Sequence, residues 1–207
     1  MEIKQYHDEN IAQIMNETNK LRTIIDSVVP VTDAEWRLFS GLFELRELKK
    51  NDYFLKEGQV CDFVGFVNRG ALVYFKILDS GTEVTTDFAI ENDWVTNNLS
   101  RLCNAPSLIN IRAIESTEML IIKNKNLADL YNRMPKSERL GRILIEQAYI
   151  RIVRQSIDLQ LLSAKERYEQ LLRNSPEIMQ RIPLYHIANY LGIAPKSLSR
   201  IRKEILR

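Results

Sequence analysis

Apolar positions along this chain change their period several times, and each change marks a different kind of element. Up to Val29 they recur at three- and four-residue intervals (Ile11, Ile14, Met15, Leu21, Ile24, Ile25, Val28), which predicts helix. Pro30 interrupts the pattern. Thr32, followed three residues later by Glu35, predicts a capping box opening a short helix through Trp36, Leu38, Phe39 and Leu42. From Leu45 to Lys123 the texture becomes short β-type runs broken by Gly, Asn and Asp: ELRELKK, DYFLKEG, FVGFVNRG, ALVYFKILDSG, EVTTDFAIEND, LINIRAIE and EMLIIKN. Asp79-Ser80-Gly81 reads as a hairpin connection. Gly58, Gly65, Gly70 and Gly81, four of the seven glycines, fall in this stretch, where strand corners need them. Regular short strands without intervening helices predict an antiparallel barrel or sandwich. Such a body packs for its own sake or encloses a small ligand.

Helical spacing returns at Asn124–Tyr131 and, past Pro135, in one long element from about Lys136 to Leu162. Two apolar seams run along it, Ile143–Ile150–Ile157 and Ile145–Ile152–Leu159. One stripe suffices for a surface helix of a single domain. Two seven-residue repeats predict one face against the barrel and another against a twin helix, with Ile143, Ile150 and Ile157 as the dimer-helix residues. A helix through Tyr168, Leu171 and Leu172 follows, broken at Asn174-Ser175-Pro176, and a short helix leads to Pro183.

Residues 182–207, IPLYHIANYLGIAPKSLSRIRKEILR, then read as two short helices packed across a tight turn. Ile187, Leu191, Ile193, Leu198 and Ile201 are their apolar positions, and Ala188 is small where they would cross. Gly192 can take the positive φ that ends the first helix, and Pro195 suits the first turn of the next. The second helix offers Lys196, Ser197, Ser199, Arg200, Arg202 and Lys203, residue types that meet phosphates and base edges in the major groove. Base contacts are expected from Lys196, Ser197 and Arg200, and Arg202, Lys203 and Arg181 are expected as phosphate contacts or a solvated face. A helical hairpin of this pattern also serves as an interaction surface, so a β-roll binding protein with no DNA role is the alternative.

Charge supports the first reading. Of a net +2, residues 164–207 carry nine Lys and Arg against four Asp and Glu, while the remainder has twenty against twenty-three. A basic end on a mildly acidic body is the footprint of a nucleic-acid-binding module. No apolar run reaches the ~18–20 residues that span a bilayer, and the start is polar and acidic, unlike a signal or transit peptide. A cytoplasmic protein with no membrane partner is the expectation. Two cysteines, Cys61 and Cys103, are too few for a four-cysteine cluster and are expected to be free and buried. The two histidines, His7 and His186, fall outside the barrel segment, so no haem is expected there either. The barrel segment has no metal-spaced cluster, phosphate loop or nucleophile–base spacing, so no enzyme is expected.

The order of helices, glycine-turned β-roll, long apolar helix and basic helix-turn-helix resembles the Crp/Fnr family of bacterial transcription regulators. LKEGQVCDFVGFVNRGALVYFKILDSGTEV, DFAIENDW and SLINIRAIE look like the strands of its cyclic-nucleotide-binding domain. SAKERYEQLL and RIPLYHIANYLGIAPKSLSRIRKEI are similar to the Crp-like branch found in Bacteroidetes. The resemblance implies an α+β chain: residues 1–135 as helices plus an antiparallel β-roll of the double-stranded β-helix or jelly-roll type, 136–163 as the dimerisation helix, and 164–207 as a (winged) helix-turn-helix domain. It implies duplex DNA, a second copy of the chain and RNA polymerase as partners, and a small-molecule effector of unknown identity in the roll. Thr96, Asn97, Asn98, Leu99, Ser107 and Leu108 are the candidate effector-pocket residues. Family members that bind nucleotides hold the ribose with Gly-Glu and the cyclic phosphate with Arg. Here Thr96-Asn97 and Ser107 stand in those places, and Asn92 replaces a turn glycine. Losing both charged ligands removes several kcal/mol of charge-assisted bonding, which argues against tight cyclic AMP binding. Arg200 falls on an arginine used for a base contact, whereas Pro195 and Lys196 replace the usual Arg and Glu. The operator read should therefore differ from the best-known Crp site.

Overall fold

The structure, a computed structural model, describes residues 19–205. The helical expectation for Ile11, Ile14 and Met15, together with His7, Leu206 and Arg207, lies outside the described residues. Helix α1 covers residues 19–28, and α2 spans Asp33–Ser40. The capping box forms as the sequence predicts. The Thr32 hydroxyl accepts from the Glu35 amide, and the Glu35 carboxylate accepts from the Thr32 amide at 2.7 Å.

Eight strands follow: β1 (Glu44–Leu48), β2 (Tyr53–Leu55), β3 (Phe63–Arg69), β4 (Leu72–Ile77), β5 (Glu83–Ala89), β6 (Trp94–Val95), β7 (Asn110–Ala113) and β8 (Thr117–Lys123). They form two four-stranded antiparallel sheets, ordered β1-β8-β3-β6 and β2-β7-β4-β5. The β4–β5 hairpin closes with the Leu78 amide donating to the Thr82 carbonyl at 2.9 Å, and Gly81 takes φ +80° in its turn. Gly70, at φ +114°, lets two strand ends cross where a Cβ would lie 2.5 Å from Thr117 Cα. Gly65 serves otherwise than the sequence predicts. It is mid-strand, not at a corner, and a Cβ there would meet Met119 and Phe54 at 2.7 and 2.8 Å. The roll also contains a short helix that the strand pattern alone misses, α3 (Asn98–Cys103), with Asn97 as its N-cap.

Strand alternation distributes side chains into separate cores. Inward residues, among them Phe54, Leu72, Tyr74, Ile111, Met119 and Ile121, fill the roll itself. The outer face of the first sheet, through Phe66, Leu120 and Ile122, packs under α1, α2, α4 (Asn124–Arg133) and the start of α5 (Pro135–Leu161). The outer face of the second sheet, through Val73, Phe75 and Phe88, packs under the C-terminal helices. Sheets covered on both faces explain why these strands read as nearly continuous apolar runs.

The C-terminal helices are α6 (Ala164–Asn174), α7 (Pro176–Arg181), α8 (Leu184–Tyr190) and α9 (Pro195–Ile205). A second capping box, Ser163 with Glu166, starts α6, and the Asn174-Ser175-Pro176 break separates α6 from α7. Residues 164–205 contain no strand, so a wing has no representative among the described residues.

Candidate functional site

The α8–α9 pair is built as the sequence predicts. Gly192 takes φ +69° after α8, and Pro195 opens α9. Ile187, Ala188, Leu191, Leu198 and Ile201 are buried between and beneath the two helices. Burying Leu198 and Ile201 fixes which face of α9 turns outward. Lys196, Ser199, Arg200 and Lys203 are exposed on that face, while Ser197 and Arg202 are half-buried at its flanks. Arg200 keeps 77% of its side chain exposed and pairs loosely with Glu204, at 4.0 Å. Ser199 Oγ donates back to the Pro195 carbonyl at 3.1 Å, so its hydroxyl proton is engaged within the helix.

Arg181, expected at a phosphate or on a solvated face, does not join this face. Its guanidinium donates to Glu91 at 2.5 and 3.1 Å and also to Glu115, which ties α7 to the roll. The two carboxylates hold it more firmly protonated than an ordinary arginine.

The candidate effector residues scatter. Thr96 Oγ1 donates to the Phe63 carbonyl at 2.9 Å. Asn97 spends its carbonyl on the Ser100 amide and its amide on Ser107 Oγ, at 3.2 and 2.8 Å. Buried Ser107 passes its own proton to the Ile109 carbonyl at 2.7 Å. In the loop that would face a phosphate, Asn97 therefore already takes up the Ser100 amide at the start of α3, and Asn97 and Ser107 bond each other. Leu99 and Leu108 are about 60% exposed and do not line the roll interior. Asn98 accepts from Arg101 at 2.9 Å and, with Thr96, borders a cavity outside the roll. Cys61 is free and buried, whereas Cys103 is free but exposed, because it lies on the outer turn of α3. Among the described residues no group of three or more His, Cys, Asp or Glu could hold a metal ion.

Along α5 the two seams do not divide cleanly. Ile143 is half-buried against the first-sheet core. Ile150 and Ile157 are exposed, as are Ile145, Tyr149, Ile152 and Leu159. The outward apolar row is thus Ile145–Tyr149–Ile152–Leu159, flanked by Ile150 and Ile157. Tyr149, which keeps the seven-residue spacing company at an a/d-type step, belongs to it.

Three contacts invisible in the sequence pattern join α5 and α8 to the roll. Arg151 donates to Asp87 at 3.0 Å. Desolvation raises the Asp87 carboxyl, and nearby Arg151 partly opposes that. Asn189 donates to the Glu83 carbonyl at 2.8 Å. His186 is buried with Nδ1 2.6 Å from Thr85 Oγ1, and desolvation lowers its pKa to about 4. The only sequence signal for these contacts was a polar residue inside an apolar spacing, and that signal does not name the partner.

Residues 45–134 match the family described as the cyclic nucleotide-binding domain. The chain is 27% identical over 169 residues to the transcriptional activator protein Anr of Pseudomonas protegens, covering 75% of this chain and 68% of that one. The corresponding Anr of Pseudomonas aeruginosa is likewise 27% identical, over 172 residues, with the same coverage. Among solved structures, FixK2 from Bradyrhizobium japonicum shares the fold at TM-score 0.68 and 17% identity, covering 79% of this chain and 84% of that one. The c-di-GMP responsive global regulator CLP of Xanthomonas campestris does so at TM-score 0.64 and 15% identity, covering 84% and 92%.

Proposed function

We propose that this chain, which belongs to the Crp/Fnr family of transcription regulators, acts in the cytoplasm as a homodimer that reads duplex DNA with α9. The observation that carries the reading is the outward face of α9. Its apolar side is anchored by Leu198 and Ile201, and Lys196, Arg200 and Lys203 are left exposed as cations. A helix so presented can lie in a major groove, and a two-fold dimer through α5 would present two of them to successive grooves. The relatives' names as transcriptional activators point the same way. The roll is read as an effector domain whose ligand is not a cyclic nucleotide held by carboxylate and arginine. Asn97 and Ser107 bond each other where those ligands would act, and Phe54, Tyr74 and Met119 occupy the interior.

Arg200→Ala tests the assignment of α9. On duplexes selected from a random pool it should lose about tenfold or more in affinity, and on unselected duplex markedly less. Equal losses on both would make Arg200 a phosphate contact and move the reading elsewhere on the helix.

A further inference from the structure

A cavity of about 110 Å³ lies on the outer side of the first sheet, between α2, α4 and the first half of α5. It is separate from the roll interior, which is filled by its own side chains. Phe43, Trp94, Leu127 and Leu144 give it an apolar wall, and Arg101 and Tyr131 stand at it as polar groups.

Those two polar groups are incompletely used by the protein. Arg101 donates to the amide oxygens of Asn98 and, at 3.5 Å, Asn124, while its Nε is buried with no partner. No carboxylate lies within 4 Å of Arg101 among the described residues. A guanidinium beside an apolar wall without an anion is costly unless something supplies the counter-charge. The Tyr131 hydroxyl makes no hydrogen bond to any described residue. It sits where a Cβ on Gly141 would approach it to 2.5 Å, so a glycine inside the long helix makes room for it. Glycine costs about 1 kcal/mol there relative to alanine. Burial keeps the phenol protonated, and Arg101 opposes that only in part; Glu138 is the acid that acts on Tyr131, and it forms no pair with Arg101. The hydroxyl is thus available as a donor beside the cation.

We propose that this cavity binds a small carboxylate with a branched or cyclic aliphatic body. Arg101 and Tyr131 hold the anion, and the apolar wall between α4 and α5 holds the body. Size limits the body to about four to six carbons, since a dry cavity of ~150 Å³ accepts a benzene ring. The charge of Arg101 selects a carboxylate over its neutral amide. A site made by α3, α4 and α5 together touches the helix that carries the outward apolar row.

The test is a titration of the full chain, without DNA, with isovalerate and with its neutral twin isovaleramide, followed by protein-observed NMR. Isovalerate should saturate and shift resonances of α4 and early α5, and isovaleramide should bind at least about tenfold more weakly. Arg101→Gln should erase that preference. Ala148→Leu, which narrows the cavity and leaves Arg101 in place, should weaken isovalerate as well. Equal binding of acid and amide would overturn the assigned ligand class. Absence of saturable binding by either would overturn the site.

Discussion

His186 lies on α8 but belongs to the core, because burial against Thr85 of β5 disfavours its charged form. Its folded pKa of about 4 is below the ordinary 6.5, with the Glu83 carboxylate raising it and Arg112 lowering it. Between those two pH values the unfolded chain binds a proton that the folded chain refuses. Stability from this group is therefore complete above about pH 6.5 and falls as pH drops toward 4. In urea titrations His186→Asn should lose this part of the pH slope; an unchanged difference curve between variant and parent would show that His186 is solvated. Gly70→Ala is the harsher residue test. It combines φ +114° with a Cβ 2.5 Å from Thr117 backbone, and should cost at least about 3 kcal/mol in the same assay. The residue scale is also where the sequence was least legible. Gly70, Gly81 and Gly192 announce positive φ by their turn setting. Nothing local pairs Arg181 with Glu91, or His186 with Thr85, about a hundred residues away.

At the scale of elements, caps and breakers carried most of the information. Thr32–Glu35, Pro176 and Pro195 each stand at a helix start that the sequence predicts. Helix α3 escaped because six residues closed by Asn104 at φ +49° give no period to read. The long helix α5 was legible as a helix but not as a set of faces. Its seven-residue spacing holds on two rows at once, and only packing shows that Ile143 turns inward while Ile152 turns out. These rows make different predictions. Ile152→Glu should abolish self-association in sedimentation velocity while leaving protomer stability within about 0.5 kcal/mol. Ile143→Ala should cost about 1–2 kcal/mol by loss of packing and leave association unchanged. The reverse pattern would place the dimer seam on the row through Ile143.

The whole molecule departs from a picture of two independent domains. Val73, Phe75 and Phe88 on the roll share one apolar core with Tyr168, Ile187, Leu191 and Leu198 of the C-terminal helices. Phe88 and Tyr190 bring their rings to 5.0 Å, and Arg181 clamps the junction onto Glu91 and Glu115. The charge asymmetry of the sequence located the basic end, but no pattern in the sequence indicated that its first helices would dock on the roll. Half-exposed carboxylates contribute modestly. Replacing Glu91 and Glu115 together by Gln should loosen docking by about 1 kcal/mol and speed proteolytic cleavage between α5 and α6, with helix content unchanged. Cations placed by α9 on DNA phosphates would release counterions, and a salt titration of binding to a labelled mixed-sequence duplex reads that release. For a dimer using two or three such cations per protomer, the logarithm of affinity should fall with the logarithm of salt at a slope of about −4 to −5. Lys203→Ala should reduce the slope by about 1 for each copy in contact. A chain that fails to bind duplex DNA at low salt, or binds it with no salt dependence, would contradict the account.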